Sequence, residues 1–259
     1  MLLLQNNIFS SDSTAQNILV LDKTDSTNTY LKNYLSKFKP LEEFTAIMTH
    51  EQTAGRGLRG NIWQSAAGEN LTFSLLLYPD FLPIHKQFLL SACISLSVYE
   101  LLLPITATVR IKWPNDIYVS EKKIAGILIE NSLQHQQLKH SIVGIGMNIN
   151  QTHFVESIQS KATSLKLATH ADENYSVLNI CQALIGIIRK NYNRLKNDAE
   201  GILHDYNAFL FQKDQLCSYQ VGNEILEGKI IQVEEDGFLQ VLVNNEIKKY
   251  DLKDISYLK

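Results

Sequence analysis

Two clusters in this chain carry the residue types that bind and activate anions. The first is Thr53-Ala54-Gly55-Arg56-Gly57-Leu58-Arg59-Gly60-Asn61-Ile62-Trp63, where two guanidinium groups sit among three glycines. A guanidinium fork matches phosphate or carboxylate bidentately, and glycines let a backbone close around a ligand. The second is Lys112-Trp113-Pro114-Asn115-Asp116, followed after a short gap by Lys123-Ile124-Ala125-Gly126. It supplies two ammonium groups, a carboxylate able to hold a magnesium ion or orient a lysine, and a glycine permitting close approach. The bland alternatives are a solvated surface loop for the first and strand-to-turn punctuation for the second, since Pro and Asn-Asp form turns.

GRGLRG also fits the dinucleotide-binding pattern G-x-G-x-x-G. That pattern requires its last glycine to open a helix, with a second strand ending in an acid about 20 residues on. Asp80 stands at that distance. Yet only ten residues, Asn61 to Asn70, separate Gly60 from Leu71, and they include Gly68 and no apolar periodicity. A crossover between parallel strands needs a dozen or more. The dinucleotide reading fails, and an anion loop of another kind is expected.

These clusters need elements to hold them. Apolar runs predict strands at 18–22, 44–52, 71–79, 108–113, 116–119, 122–130 and 138–150. Helical spacing predicts helices at 25–38, near 84–103, at 178–195 and near 199–211. After Phe211 the texture changes to short β-rich segments separated by Gly, Asn and Asp turns. This predicts a small SH3-like barrel appended to an α/β body, as two domains, 1–211 and 212–259. The most apolar stretch, 88–104, carries serines and Glu100 at helical spacing, so a buried amphipathic helix is expected rather than a membrane span.

Composition bounds the partners. The chain has 259 residues, 45% of them hydrophobic, and a net charge of -3, which gives no electrostatic footprint for nucleic acid or an anionic membrane. Cys93, Cys181 and Cys217 form no C-x-x-C pair and are expected to be buried thiols in a reducing, cytoplasmic setting. The N-terminal MLLLQNNIF lacks basic residues and has too short an apolar run for a signal peptide.

Taken in order, D-S-T-N (25–28), E-Q-T-A-G-R-G-L-R-G (51–60) with Trp63, K-W-P-N-D (112–116), K-I-A-G-I-L-I-E (123–130) and G-I-G-M-N (144–148) resemble the biotin–protein ligases. The resemblance runs over roughly residues 15–259. It implies an α+β fold: a central mixed β-sheet flanked by helices, of the class II synthetase-like, biotin–lipoate ligase type, with an SH3-like barrel. It implies a two-step reaction: biotin and ATP, with Mg2+, give biotinyl-5′-AMP and pyrophosphate, and biotin then passes to a lysine of a biotin carboxyl carrier domain.

Site residues carried over by motif are Arg56 and Lys123 for the phosphate and carboxylate charges, with Lys112 and Asp116 on the magnesium side. Ser26, Thr27, Asn28 and Gln52 would bond the biotin ring. Gly55, Gly57, Gly126, Leu128, Gly144 and Gly146 would shape its pocket. Arg59, Trp63, Asn115 and Asn148 would face the nucleotide, with Trp63 near the adenine. The glycine loop would close over an adenylate that water destroys. Leu58 and Asn61 stand where this family often carries arginine or another polar residue, which implies weaker or different retention of that adenylate. Family members that also repress transcription carry a winged helix-turn-helix ahead of D-S-T-N. Only 24 residues precede Asp25, so no DNA binding is expected; monomer and homodimer both stay open. The rival readings are a lipoate ligase or octanoyltransferase on the same fold, and a non-enzymatic interaction module.

Overall fold

The computed structural model describes residues 18–38, 40–135 and 137–258; MLLLQNNIF lies outside the described residues. A β-α-β unit opens the body. Strand β1 (Ile18–Thr24) leads into helix α1 (Thr27–Lys37), and β2 (Ala46–Gln52) returns parallel to β1. Ser26 caps α1, its hydroxyl accepting from Thr29 N at 3.5 Å. The remaining body strands are β3 (Leu71–Leu77), β4 (Val109–Lys112), β5 (Asp116–Val119), β6 (Lys122–Gln134) and β7 (Gln137–Met147). They complete a seven-stranded sheet in the order β1-β2-β3-β7-β6-β5-β4, in which every pair after β1–β2 is antiparallel. The glycine loop thus joins antiparallel neighbours β2 and β3 with no crossover helix, the outcome its ten-residue exit demanded.

The sheet is covered unequally. Leu31 and Leu35 of α1 pack with Ile47, Leu76 and Ile142 over part of one face. Helices α2 (Phe88–Leu102), α5 (Val177–Asn197) and α6 (Ala199–Ala208) belong to the larger core, with α2 and α5 packed on the opposite face. Short helices α3 (Glu156–Gln159) and α4 (Leu165–Thr169) follow β7. The expected amphipathic helix at 88–104 is corrected: α2 is buried nearly all round, with Ser95 and Ser97 at 0% exposure and only Ser91 and Glu100 partly exposed. Ser97 is satisfied inside the core, donating to Cys93 O and accepting from Asn191, whereas the buried Ser95 hydroxyl has no hydrogen-bond partner. Among the described residues no helix is long and apolar enough to cross a membrane.

After α6 come β8 (Leu216–Val221), β9 (Glu224–Val233), β10 (Leu239–Val243), β11 (Glu246–Tyr250) and β12 (Ile255–Tyr257). They form a separate five-stranded antiparallel sheet in the order β11-β10-β9-β8-β12. Buried Asn207 of α6 pins it to the body, donating to Val233 O at 2.9 Å and accepting from Val233 N at 2.7 Å. The buried Trp113 indole donates to Gly237 O nearby.

Candidate functional site

Side chains of a strand alternate faces, so β6 presents Gly126, Leu128 and Glu130 on one side. Register sets Gly126 beside Gly146 of β7, which pairs with Thr72 of β3; the next row reads Leu128, Gly144, Ser74. These rows floor a cleft of about 360 Å³, walled by the start of α1, the glycine loop, the β4–β5 turn and strand β12. At two of these glycines nothing larger fits. A Cβ on Gly144 would collide with the Asn28 amide, and one on Gly146 with the Trp63 indole. On Gly126 it would stand 3.2 Å from Lys123 Nζ.

One end of the cleft is lined with neutral hydrogen-bonding groups. Ser26, Thr27 and Asn28 are all buried at the N-terminus of α1. Gln52 Oε1 accepts from Thr27 N at 2.9 Å, and Ser74 Oγ lies 2.6 Å from Asn28 Oδ1 and 2.7 Å from Thr27 Oγ1. The other end carries charge. Lys123 Nζ and Asp116 Oδ1 form a salt bridge of 2.7 Å, both partly buried, and Lys123 stands 5.7 Å from the Trp63 ring centroid. Lys112 Nζ donates to Tyr118 Oη at 3.1 Å and sits 4.5 Å from the centre of the Tyr257 ring. Burial, and then the Asp116 carboxylate, push the Tyr118 phenol up to about 12, so this partner is uncharged at neutral pH.

The glycine loop folds back on itself. Gly57 N donates to Asn61 O and Trp63 N to Gly55 O, while Arg59 takes the left-handed conformation at φ 58°. Gly55 is buried, and a Cβ there would strike the Trp63 carbonyl. Arg56 reaches across to the sheet, its Nη2 donating to Glu130 Oε2 at 2.9 Å and to Thr29 Oγ1 at 3.3 Å.

Most expected site residues therefore converge: Ser26, Thr27, Asn28, Gln52, Arg56, Gly57, Arg59, Trp63, Lys112, Asn115, Asp116, Lys123, Gly126, Leu128, Gly144 and Gly146 all line the cleft. Asn115 does so with its amide committed to Ile127 O and its carbonyl accepting from Ile127 N. Gly55 lies behind the wall. Asn148 is not in the lining: it is buried, its Nδ2 donates to Thr163 O, and its Oδ1 has no hydrogen-bond partner. Asp116 Oδ1 is engaged by Lys123 Nζ at 2.7 Å. Among the described residues no three His, Cys, Asp or Glu gather to hold a metal. A lone carboxylate fits an ion held mainly by ligand phosphate oxygens and water.

Sequence reasoning missed Glu130, Ser74, Thr29, Tyr118 and Tyr257. Period-2 alternation through Gly126 and Leu128 is the signal that would have found Glu130; no local signal points to Tyr257, which arrives from the C-terminal sheet.

The cleft in this mixed sheet thus has a neutral, hydrogen-bonding end and an end that carries Lys112, Lys123 and Asp116. Residues 20–148 match the biotin/lipoate A/B protein ligase family, and the chain belongs to that family. The bifunctional ligase/repressor BirA of Bacillus subtilis is 30% identical over 228 residues, covering 82% of this chain and 66% of that protein. The Biotin--[acetyl-CoA-carboxylase] ligase of Paracoccus denitrificans is 33% identical over 147 residues, 56% of this chain and 59% of that one. Among solved structures, the biotin protein ligase of Aquifex aeolicus in complex with biotin and ATP superposes with a TM-score of 0.78 at 29% identity, covering 93% of this chain and 98% of that one. The chain thus spans just under two thirds of the Bacillus subtilis relative's length.

Proposed function

We propose that this protein is a biotin–protein ligase. Biotin's carboxylate oxygen attacks the α-phosphorus of ATP, the α–β phosphoanhydride bond breaks, and pyrophosphate leaves. The amine of a lysine on a biotin carboxyl carrier domain then attacks the acyl carbon of biotinyl-5′-AMP, and AMP departs. The observation that carries this reading is the Lys123–Asp116 pair at 2.7 Å beside the glycine rows of the floor. Two anions must meet in the first step, and a fixed cation lowers both their repulsion and the charge gathering at phosphorus.

Lys123, aimed by Asp116, is assigned to the junction of carboxylate and phosphate, and Arg56, with Arg59, to the phosphate side. Lys112, held among aromatic rings, adds positive charge at the same end. Ser26, Thr27, Asn28 and Gln52 bond the ureido ring over Gly144 and Gly146, and Trp63 covers it from the nucleotide side. Asn115 supports the turn that carries Asp116. When bound, magnesium supplies charge at the nucleotide's phosphate oxygens, and Asp116 is the carboxylate that would meet it. Asn148 is assigned to supporting the strand end rather than to nucleotide contact, since it is absent from the cleft lining and its Nδ2 donates to Thr163 O.

The five short antiparallel strands after residue 211 are read as an SH3-like barrel, making 1–211 the catalytic domain and 212–259 a second one. The carrier partner is inferred from the acetyl-CoA-carboxylase ligases among the relatives. A reducing cytoplasmic setting accords with three unpaired cysteines.

The test is biotin-dependent exchange of labelled pyrophosphate into ATP. Exchange with biotin and not with lipoate, reduced in Lys123→Ala and Arg56→Ala, is the expected result. Exchange with lipoate alone would move the chain to the lipoate branch of its family, and no exchange with either acid would overturn the ligase reading.

A further inference from the structure

Glu130 closes the K-I-A-G-I-L-I-E run but has no role in the assignments above, yet one of its oxygens ties Asn28 to the glycine loop. Glu130 Oε2 accepts from Asn28 Nδ2 at 2.7 Å and from Arg56 Nη2 at 2.9 Å. We infer that Glu130 is a positioning residue for capture of the carboxylic acid, fixing the Asn28 amide over the cleft floor and anchoring the glycine loop through Arg56.

The Asn28 side follows from hydrogen-bond polarity. An asparagine amide has a donor end and an acceptor end, and its orientation is set by what it faces. Its Nδ2 is committed to Glu130 and, at 3.4 Å, to Leu128 O. Oδ1 must therefore point to Ser74 Oγ, 2.6 Å away, and sit over Gly144. Ser74 continues to Thr27 Oγ1, and Thr27 N to Gln52 Oε1. A single anion on β6 thus sets the Asn28 amide and, through it, the direction of the Ser74 hydroxyl, while Gln52 is set separately by the Thr27 backbone N–H. Without it the amide can turn over, and the pattern offered to a polar ring reverses.

The Arg56 side follows from what else holds the loop. Its first two residues are tied by Thr53 N to Thr24 O and Ala54 N to Asp25 O, its later backbone bonds close it on itself, and among the described residues Arg56–Glu130 is the one ion pair joining it to the sheet. Bonding Nη2 to Glu130 and Thr29 turns the guanidinium so that its Nε and Nη1 donors stay available to a ligand. An isolated half-exposed pair would contribute little. Here the same oxygen also serves a buried amide, so losing the charge disturbs both.

Glu130→Gln tests this with two readouts, of which the kinetic one rests on the ligase reading and the other does not. Trypsin cleaves after Arg56 and Arg59, so release of the loop is read as faster cleavage there in the protein alone. Loss of charge-assisted bonds predicts roughly tenfold faster loop cleavage and a biotin KM raised roughly tenfold or more, with kcat and Tm little changed. Unchanged loop cleavage overturns the inference, and so does an unchanged KM. A fall in kcat alone, or a broad loss of Tm with cleavage everywhere, also overturns it, because Glu130 would then serve chemistry or general folding. If wild type shows no biotin-dependent exchange, the ligase reading fails and the acid-capture role fails with it, whereas active wild type with an indifferent variant rejects Glu130 alone. Should Glu130→Gln not fold, Glu130→Asp, which keeps the charge but withdraws it by one methylene, is read by the same outcomes.

Discussion

Trp63 lies so close against Gly146 that a methyl group on the glycine would collide with the indole ring. The residue that closes the cleft and the strand that floors it are therefore fitted through a missing side chain. Gly146→Ala is expected to displace Trp63 and raise the KM for biotin or ATP by roughly tenfold or more, a cost of about 1.4 kcal/mol in binding. The indole fluorescence should shift with it. Gly186 in α5 is the control: nothing lies within 4 Å of an added Cβ there. Gly186→Ala should leave both KM values alone and stabilise the helix by about 0.5–1 kcal/mol, read from thermal unfolding.

The Lys123–Asp116 pair makes a sharper claim about chemistry. Removing a charge positioned at a transition state costs about 10²–10³ in kcat. Lys123→Ala should show a loss of that order in pyrophosphate exchange. Asp116→Asn keeps the shape but not the anion that aims the lysine, and a loss of about tenfold or more is expected on the same grounds. Exchange by Asp116→Asn at the wild-type rate would leave Asp116 a mere turn residue.

Asn207 decides how the C-terminal sheet is held. Both polar groups of Val233 are buried against its amide. Asn207→Ala leaves an N–H and a C=O without partners, a cost of about 2–5 kcal/mol. The expected result is lowered thermal stability together with new proteolysis between α6 and β8. Because Tyr257 of β12 reaches Lys112 in the cleft, exchange should fall in the same variant. A lowered Tm with neither effect would mean that the two sheets unfold as one block, against the proposed boundary near 211–214.

How much of this was legible beforehand depends on whether a feature is local. The strands flanking the clusters follow from short apolar runs, and the ten-residue exit from Gly60 rules out a crossover helix from sequence length alone. The glycine rows were visible as Gly126, Gly144 and Gly146, though not their register. What escaped was pairing at a distance. Asn28 and Glu130 are 102 residues apart, and nothing in either segment announces the other. Tyr257 reaches Lys112 from a different sheet, so its strand reads only as one more short β segment. Helix α2 misled because serines at helical spacing look like a wet face, yet Ser97 closes hydrogen bonds inside the core. Asn148 shared the run of a motif and the parity of Gly144 and Gly146, but it lies just past the end of β7, where its Nδ2 donates to Thr163 O.

The cysteines give a test that needs no substrate. All three were expected to be buried, but Cys217 is only partly so, whereas Cys93 and Cys181 are at 0% exposure. Burial pushes the Cys181 thiol from an ordinary 9.0 up to about 12, and raises Cys93 as well. A thiol reagent attacks the thiolate, so at pH 8 the native protein should give one reactive thiol against three in denaturant. The sign of the linkage sharpens this. An acid whose folded pKa is raised binds its proton more tightly when folded. Its contribution to stability is therefore complete below the unfolded value of 9.0 and is lost as pH rises towards about 12. Between pH 8 and 10, Cys93 and Cys181 should be labelled through unfolding rather than by titration in place. They should react at one common slow rate, made slower still by biotin and ATP. Separate rates, or fast labelling of either in the folded protein, would show that this part of the core opens on its own.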